Sequence, residues 1–186
     1  NSTFSERLSR FEKLLEESPQ LFSYLTDNKN LIGQQSKRSL SISRGSAFYS
    51  LSKVGNYTFS PYKVVFRDNT KLSAFVLSQM STAWGKKVMP ICAKHCPYIS
   101  QDKKGRNIDE DEAYYLCGIL NTPIVREYFK STYSTRSYSI NFNIKMPLYK
   151  LNNINQRKIS EISKQASNKG VTEDILKEIE NCYLEL

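Results

Sequence analysis

The most strand-like run in the chain is Tyr62–Arg67, with the sequence YKVVFR. Its β-branched and aromatic residues favour an extended strand, and Pro61 fixes the entry to it. Asp68, Asn69 and Thr70 are typical of a turn, so Leu72–Leu77 is predicted to return as the second strand of a hairpin. We therefore expect an antiparallel sheet to begin here.

Helical patterns precede this sheet region. Thr3 and Glu6 have the spacing of a capping box and predict a helix from about 4 to 17. Ser18-Pro19 is typical of an N-cap followed by Pro in the first turn, so a second short helix is predicted. Asp27–Asn30 is rich in turn-forming residues and is expected to end it.

Downstream, we expect one or two short strands within residues 88–100 and a polar loop from Gln101 to Asn107. A helix then starts at Asp109, with Ala113, Leu116, Cys117 and Leu120 as its buried stripe. Asn121-Thr122-Pro123 breaks this helix and starts another. Helices that begin near Asn153 and near Val171 complete the chain.

The fold class predicted from this order is α+β: a twisted, mainly antiparallel sheet with a supporting helix pair at about 109–130 and terminal helices. The expected organisation is an N-terminal helical linker over residues 1–30, a central domain over 31–150 and C-terminal helices over 151–186.

Charge is segregated along the chain. The formal net charge is +9, but residues 28–108 carry +12, residues 128–158 carry +6 and the three other segments are negative. Like charges concentrated in this way repel one another, and such a distribution is typical of proteins that meet a polyanion. A solvated basic face without a dedicated partner is the alternative. The basic stretches do not have the pattern of amphipathic helices, so a membrane partner is not expected.

Several kinds of site are not indicated by the residues. No Gly-rich phosphate loop occurs. Cys92 and Cys96 lack further ligands at paired spacing, so no metal site is expected. The acidic run Asp109–Glu112 stands at a helix start, where it complements the helix dipole, and this explains it better than a nuclease metal site. No catalytic residue is assigned. The cysteine spacing and the absence of a signal pattern predict a cytoplasmic location with free thiols.

Basic residues interleaved with hydroxyls, amides and aromatic rings are the strongest functional signal. Lys, Arg and Tyr side chains contact phosphates, while Arg reads guanine and Gln reads adenine in the major groove. The predicted DNA-binding residues combine cations for phosphates or bases with polar readers: Lys37, Arg38, Arg44, Lys63, Arg67 and Arg136, with Gln34, Gln35, Tyr49 and Tyr57. For Tyr57 and Lys63 the alternative is packing within the sheet.

Ordered blocks of the sequence resemble the C-terminal regions of N6-adenine DNA methyltransferases from restriction–modification systems. Val54–Val64 is similar to the family stretch VG-x-Y-x-F-x-PYKV, and Ser36–Tyr49 before it resembles the basic segment that precedes that stretch. Glu110–Val125 is similar to EEAYYL-x-x-ILNS-x-x-V. Arg136-Ser137 with Ile144–Pro147 resembles RS…IKLP. Asn155–Ile159 resembles the helix start Q-x-KI, which type I specificity subunits share. The resemblance covers about residues 31–165.

This resemblance implies a target recognition domain of a type II or type IIG enzyme. Such a domain contacts double-stranded DNA and positions the target adenine, while a separate catalytic domain binds S-adenosylmethionine and transfers the methyl group. The chain lacks both the family's Asn/Asp-Pro-Pro-Tyr/Phe tetrapeptide, which holds the flipped base, and its Gly-rich turn for the methyl donor, so it is expected to bind no cofactor and to be inactive alone. The parent enzyme would methylate DNA, with or without an endonuclease activity. The alternatives are a protein-interaction module or an RNA-binding module with a basic face.

Overall fold

The structure is a computed structural model that describes residues 13–33, 55–66, 72–92, 96–132, 144 and 146–186. It divides into two compact units, Asn1–Val54 and Gly55–Leu186. The mixed α and β content with a small antiparallel sheet agrees with the α+β class. The predicted C-terminal helices belong to the same unit as the sheet.

In the first unit, residues 13–17 are helical and are followed by helix α1, Pro19–Asp27, and helix α2, Lys29–Gly33. Pro19 occupies the first turn as predicted, although the Ser18 side chain makes no cap hydrogen bond with a described residue. Helix α2 begins directly at Lys29, but the prediction that the preceding helix ends within residues 27–30 is confirmed, because α1 ends at Asp27 and is followed by a turn at Asn28. The backbone N–H and the Nδ2 of Asn28 both donate to Tyr24 O, at 3.1 and 2.8 Å, which closes α1 just before α2 begins.

The second unit is built on two small antiparallel sheets. The first contains β1 (Lys63–Phe66), β2 (Ala74–Leu77) and β5 (Tyr98–Ile99) in the order β2-β1-β5. The second contains β3 (Met80–Ser81) and β4 (Lys87–Val88). The predicted hairpin pairing is confirmed, since Val64 lies opposite Val76 and Val65 opposite Phe75. A 3-10 helix, Asn56–Phe59, precedes β1.

Among the residues described after the sheets, four helices follow: α3 (Glu110–Asn121), α4 (Pro123–Thr132), α5 (Ile154–Lys169) and α6 (Glu173–Leu184). The predicted break at residues 121–123 is confirmed, and so are the starts of α3 and α5. Asp109 caps α3 by accepting a hydrogen bond from Glu112 N, and Asn153 caps α5 by accepting one from Gln156 N. These caps supply acceptors for backbone N–H groups that lack partners within the helix.

Helix α3 lies between the sheet and the C-terminal helices, and this placement widens its buried surface. Ala113 and Leu120 are buried as predicted, whereas Leu116 and Cys117 are only half-buried. Tyr115, Gly118 and Ile119 are buried as well. The single predicted stripe is therefore too narrow, because α3 packs against β1 and β2 and also against α5 and α6.

An amide side chain joins α3 to the sheet. Asn121 Oδ1 accepts from Ala74 N at 3.0 Å, and Asn121 Nδ2 donates to Ala74 O at 2.8 Å. Asn121 Nδ2 also lies 3.0 Å from Cys117 O. The Asn121 side chain therefore pairs with the end of β2 as a neighbouring strand would.

A buried tyrosine joins α3 to α5 and to the segment before it. Tyr115 is fully buried, and its hydroxyl donates to Pro147 O at 3.0 Å. Gln156 Nε2 lies 3.3 Å from the same hydroxyl and 3.0 Å from Leu148 O. Gln156 Oε1 accepts from Lys150 N at 2.6 Å. The Tyr115 hydroxyl thus holds residues 147–150 in place.

We expect Tyr115→Phe to lower the free energy of unfolding at pH 7 by about 1–2 kcal/mol, because it leaves Pro147 O without its donor. Burial raises the pKa of Tyr115 to about 12, whereas an unfolded tyrosine ionises near about 10. The contribution of Tyr115 is therefore complete below about pH 10 and is lost as the pH rises through about 12. Urea unfolding at pH 7 and at pH 11.5 should show a smaller difference between wild type and variant at the higher pH. Tyr24→Phe, at an exposed position in α1, is the control and should leave the free energy of unfolding unchanged at both pH values.

Candidate nucleic-acid interface

Of the predicted DNA-binding residues, Tyr57 and Lys63 fall within the described part of the chain. The others lie outside the described residues: Gln34, Gln35, Lys37, Arg38, Arg44, Tyr49, Arg67 and Arg136.

Lys63 is fully buried at the start of β1. Its Nζ donates to Ser60 O at 3.1 Å and to Pro90 O at 3.3 Å. Burial lowers the pKa of Lys63, and the nearby Cys92 partly opposes this shift. An ammonium enclosed by two backbone carbonyls joins the segments around residues 60 and 90. This placement favours the packing alternative for Lys63 over a phosphate contact.

Tyr57 is partly exposed, at 38% of its surface. It lies in the 3-10 helix, with its ring centroid 6.4 Å from that of Tyr98. Its carbonyl oxygen accepts from Ser100 Oγ at 3.2 Å. Tyr57 therefore packs at the edge of the sheet while part of its surface stays exposed.

A rigid turn joins β3 to β4 and presents an aromatic ring and two cations. Thr82 N donates to Lys86 O at 2.8 Å, Gly85 N donates to Thr82 O at 2.9 Å, and Thr82 Oγ1 accepts from Lys86 N at 3.1 Å. Gly85 has a φ of 78°, which the third loop residue of such a turn requires. Trp84 at the tip is 80% exposed. Lys86 and Lys87 beside it are exposed too.

A second turn, Asp102–Arg106, repeats this backbone design. Asp102 N donates to Arg106 O at 2.9 Å, and Gly105 N donates to Asp102 O at 3.0 Å, with a φ of 81° at Gly105. Asp102 Oδ1 accepts from Lys104 N at 2.8 Å and from Arg106 N at 3.0 Å, and these backbone hydrogen bonds help to lower the pKa of Asp102. Lys103 and Lys104 are exposed at its tip. No salt bridge joins either lysine, or Lys86 or Lys87, to another described residue.

The acidic cluster at the start of α3 has structural partners. Arg106 Nη1 and Nη2 donate to the two carboxylate oxygens of Glu112 at 2.8 and 2.6 Å, and the Glu112 carboxylate also accepts from Asp109 N at 3.0 Å. The Arg106 guanidinium is the main cause that lowers the pKa of Glu112. Glu110 pairs with Lys164 at 2.6 Å. The interpretation of this cluster as a helix-start feature is confirmed.

The cysteines near β5 are partly buried thiols. Burial and the neighbouring Cys96 raise the pKa of Cys92 to about 11, while Lys63 acts in the opposite direction. Among the residues that the structure describes, no group of three or more His, Cys, Asp or Glu side chains is placed to hold a metal ion. His95 lies outside the described residues.

Trp84, Lys86, Lys87, Lys103 and Lys104 were not among the predicted site residues. A usable signal was present, because Gly85 and Gly105 each stand directly before a cation and within a polar stretch. Glycine in the left-handed position of a three-residue hairpin loop is a known pattern. Two such loops would have indicated exposed, cation-bearing tips.

No protein-family model matches the sequence, and no curated protein matches it. Within the described ranges, no helix is both long and apolar enough to cross a bilayer. The fold and the side chains above therefore carry the functional argument together with the sequence patterns.

Proposed function

We propose that the chain is the DNA-recognition part of a site-specific N6-adenine DNA methyltransferase of a restriction–modification system. In this proposal, residues 31–150 bind double-stranded DNA and fix the register of the target adenine. A separate catalytic domain of the parent cytoplasmic enzyme binds S-adenosylmethionine and methylates the base after it leaves the helix.

The observation that carries the proposal is that carboxylates at the start of α3 have partners within the protein, whereas lysines on the two turns are exposed. Three of the carboxylates at the start of α3 have partners, because Asp109 caps the helix, Glu112 pairs with Arg106 and Glu110 pairs with Lys164. Lys86, Lys87, Lys103 and Lys104 instead remain exposed on rigid tips. From residue 69 to residue 101 the sequence contains no Asp or Glu at all. Cations that form no salt bridge with another described residue favour an anionic ligand, and a phosphate backbone has the charge density to match them.

The positions of the resembling blocks also support the proposal. The block over residues 54–64 contains the 3-10 helix and the start of β1, and the block over 110–125 forms α3 and the start of α4. Val64, Tyr115, Ile119 and Val125 from these blocks belong to one hydrophobic core. Blocks that are far apart in sequence thus form one packed scaffold, as expected if the resemblance reflects a common domain.

Within the proposal, side chains take different roles. Arg38, Arg44 and Arg136 would bind phosphates or guanine, and Gln34 and Gln35 would read base edges. The burial of Lys63 supports a scaffold role for that residue.

Binding to duplex DNA should weaken steeply as salt is added. Each phosphate neutralised by a cation contributes about −0.9 to the slope of log K against log salt, so about four contacts predict a slope near about −4. Fluorescence anisotropy of a labelled random-sequence duplex, measured from 50 to 300 mM NaCl, gives this slope. Selection from a randomised duplex pool should then enrich one site.

The control is Lys177→Gln, which removes an exposed cation from α6, in the net-negative segment 159–186. It should leave affinity and slope unchanged, whereas Arg38→Ala should weaken binding several-fold. Tighter binding to structured RNA, or to an acidic protein, than to duplex DNA would contradict the proposal and favour an RNA-binding or protein-interaction module.

A further inference from the structure

The indole of Trp84 is exposed to solvent and does not pack in the core. A buried tryptophan removes about 150–250 Å² from water and is a major source of folding energy, yet 80% of the Trp84 surface is exposed. The neighbouring Ala83 and Gly85 in the turn are exposed as well. A large aromatic ring held outside the core is typical of a surface that gains its burial from a partner.

The turn holds the backbone beneath this ring in one conformation before any partner arrives. Three hydrogen bonds between Thr82 and Lys86 close the loop, two of them through the Thr82 hydroxyl, which accepts from Lys86 N and donates to Lys86 O at 3.0 Å. Gly85 satisfies the left-handed position without strain. A preorganised tip loses little conformational entropy on binding, so its contacts convert efficiently into affinity.

The chemistry around the ring identifies the kind of partner. Lys86 and Lys87 are exposed next to Trp84, and no carboxylate occurs nearby in the sequence. A nucleic acid offers both complements at once, since phosphates match the ammonium groups and every base has a flat π-face for the indole. An acidic protein surface would match the charges without providing that stacking face.

We propose that the Thr82–Lys86 turn is a DNA-contacting tip: the Trp84 indole stacks on a base at a step that opens when the target adenine leaves the helix, and Lys86 and Lys87 bind the adjoining phosphates. This inference rests on the proposed function and adds to it a specific contact. Apolar side chains that enter a base step gain stacking at the cost of partial unstacking of the duplex. The contact should therefore be strongest at a duplex position that already lacks a partner base.

The Asp102–Arg106 turn supplies an internal comparison. It has the same loop length and the same left-handed glycine, but Lys103 and Lys104 occupy its tip where the first turn has Ala83 and Trp84. The second turn should contribute charge alone, while the first contributes charge and stacking.

The test uses Trp84 itself as the reporter, because it is the single tryptophan of the chain. The 186-residue protein is titrated with a labelled duplex that carries one abasic site, and separately with the intact duplex. Anisotropy of the labelled duplex measures binding, and quenching of tryptophan emission measures stacking of the Trp84 indole. We expect emission to be quenched with the same midpoint as binding, more strongly for the abasic duplex. Heparin, which has the charge but no bases, should bind with little quenching.

Variants separate stacking from charge. Trp84→Ala should weaken binding to the abasic duplex about tenfold or more, as expected for the loss of one base–aromatic stack, and Trp84→Phe should retain most of the affinity. Lys86→Gln with Lys87→Gln should reduce the salt slope by about 2. Lys103→Gln with Lys104→Gln is the matched control, which should lower the slope similarly but leave the quenching at saturation unchanged.

Each other outcome overturns the inference. If the protein binds duplex DNA without quenching, and Trp84→Ala binds it with full affinity, then Trp84 does not contact the DNA, while the proposed function stands. Equal quenching by heparin excludes base stacking. Failure to bind any duplex, or preferential quenching by anionic phosphatidylserine vesicles, overturns the inference and the proposed function together.

Discussion

Replacing Gly118 with alanine is expected to lower the free energy of unfolding by about 2 kcal/mol, although alanine is the better helix former. A Cβ at this position would lie 2.2 Å from Ser163 Oγ and 3.0 Å from Ile159 Cγ2. Overpacking of this kind costs about 1–3 kcal/mol or more. The Ser163 hydroxyl, which donates to Ile159 O at 2.7 Å, would have to move away from its buried acceptor. The gain in helix propensity, about 1 kcal/mol, offsets only part of this cost.

A double-mutant cycle isolates the steric cause. Ser163→Ala removes the closest atom, so Gly118→Ala should be much less damaging in that background, with a coupling of about 1 kcal/mol or more between the two sites. Urea unfolding followed by far-ultraviolet circular dichroism measures all four proteins. Equal effects of Gly118→Ala with and without Ser163 would show that the close approach of α3 and α5 is not the reason for glycine.

Replacing Glu112 with alanine is expected to lower the free energy of unfolding at pH 7 by about 2–3 kcal/mol. The carboxylate is mostly buried and accepts from Arg106 and from Asp109 N. Hydrogen bonds to a charged group contribute about 1.5–3 kcal/mol, and loss of a capping interaction costs about 1. Because Arg106 is about half exposed, water weakens its interaction with Glu112. The expected loss of stability is therefore smaller than the sum of the hydrogen-bond and capping contributions.

The effect of Glu112 should depend on pH in a defined direction. Its pKa lies below the usual 4.5 in the folded protein, chiefly because Arg106 donates to it. A lowered carboxylate pKa contributes stability that is complete above the unfolded pKa and is lost as the pH falls through the folded pKa. The difference between wild type and Glu112→Gln should therefore be constant near neutral pH and shrink below about pH 4.5.

Glu112→Gln is also the matched control for shape, because glutamine can still accept from Asp109 N in a capping box. It should be less damaging than Glu112→Ala at pH 7. A difference between wild type and Glu112→Gln that persists unchanged down to pH 3 would contradict the assigned ion pair.

Local signals predicted the elements of the fold more accurately than its packing. Caps at Asp109 and Asn153 and the break before Pro123 depend on neighbouring residues, so the sequence alone sufficed for them. The buried width of α3 depends on the strands and helices that pack against it, which its own residues do not specify. Gly118 has no local sequence signal of its role, because the atoms that exclude a Cβ belong to a helix about 40 residues later.

The candidate site was less predictable for a related reason. Lys63 is predicted to bind phosphate or a base, with packing within the sheet as the alternative, and its contact with Pro90 O, 27 residues away, could not be predicted from the local sequence. A tryptophan side chain is mostly buried on average, so the sequence does not predict that Trp84 is exposed. Its exposure follows from the geometry of the Thr82–Lys86 turn, and the numbers of charged and aromatic residues in the sequence do not predict that geometry.

The pairing of Asn121 with Ala74 bears on how this protein stays separate from its own copies. β2 is the outer strand of the three-stranded sheet, and outer strands normally offer unpaired backbone groups to which a second chain can add. Both backbone hydrogen-bonding groups of Ala74 are already taken by the amide on α3. A neighbouring chain that paired with this end of β2 would first have to displace that amide, so helix α3 protects the start of the strand from edge-to-edge pairing.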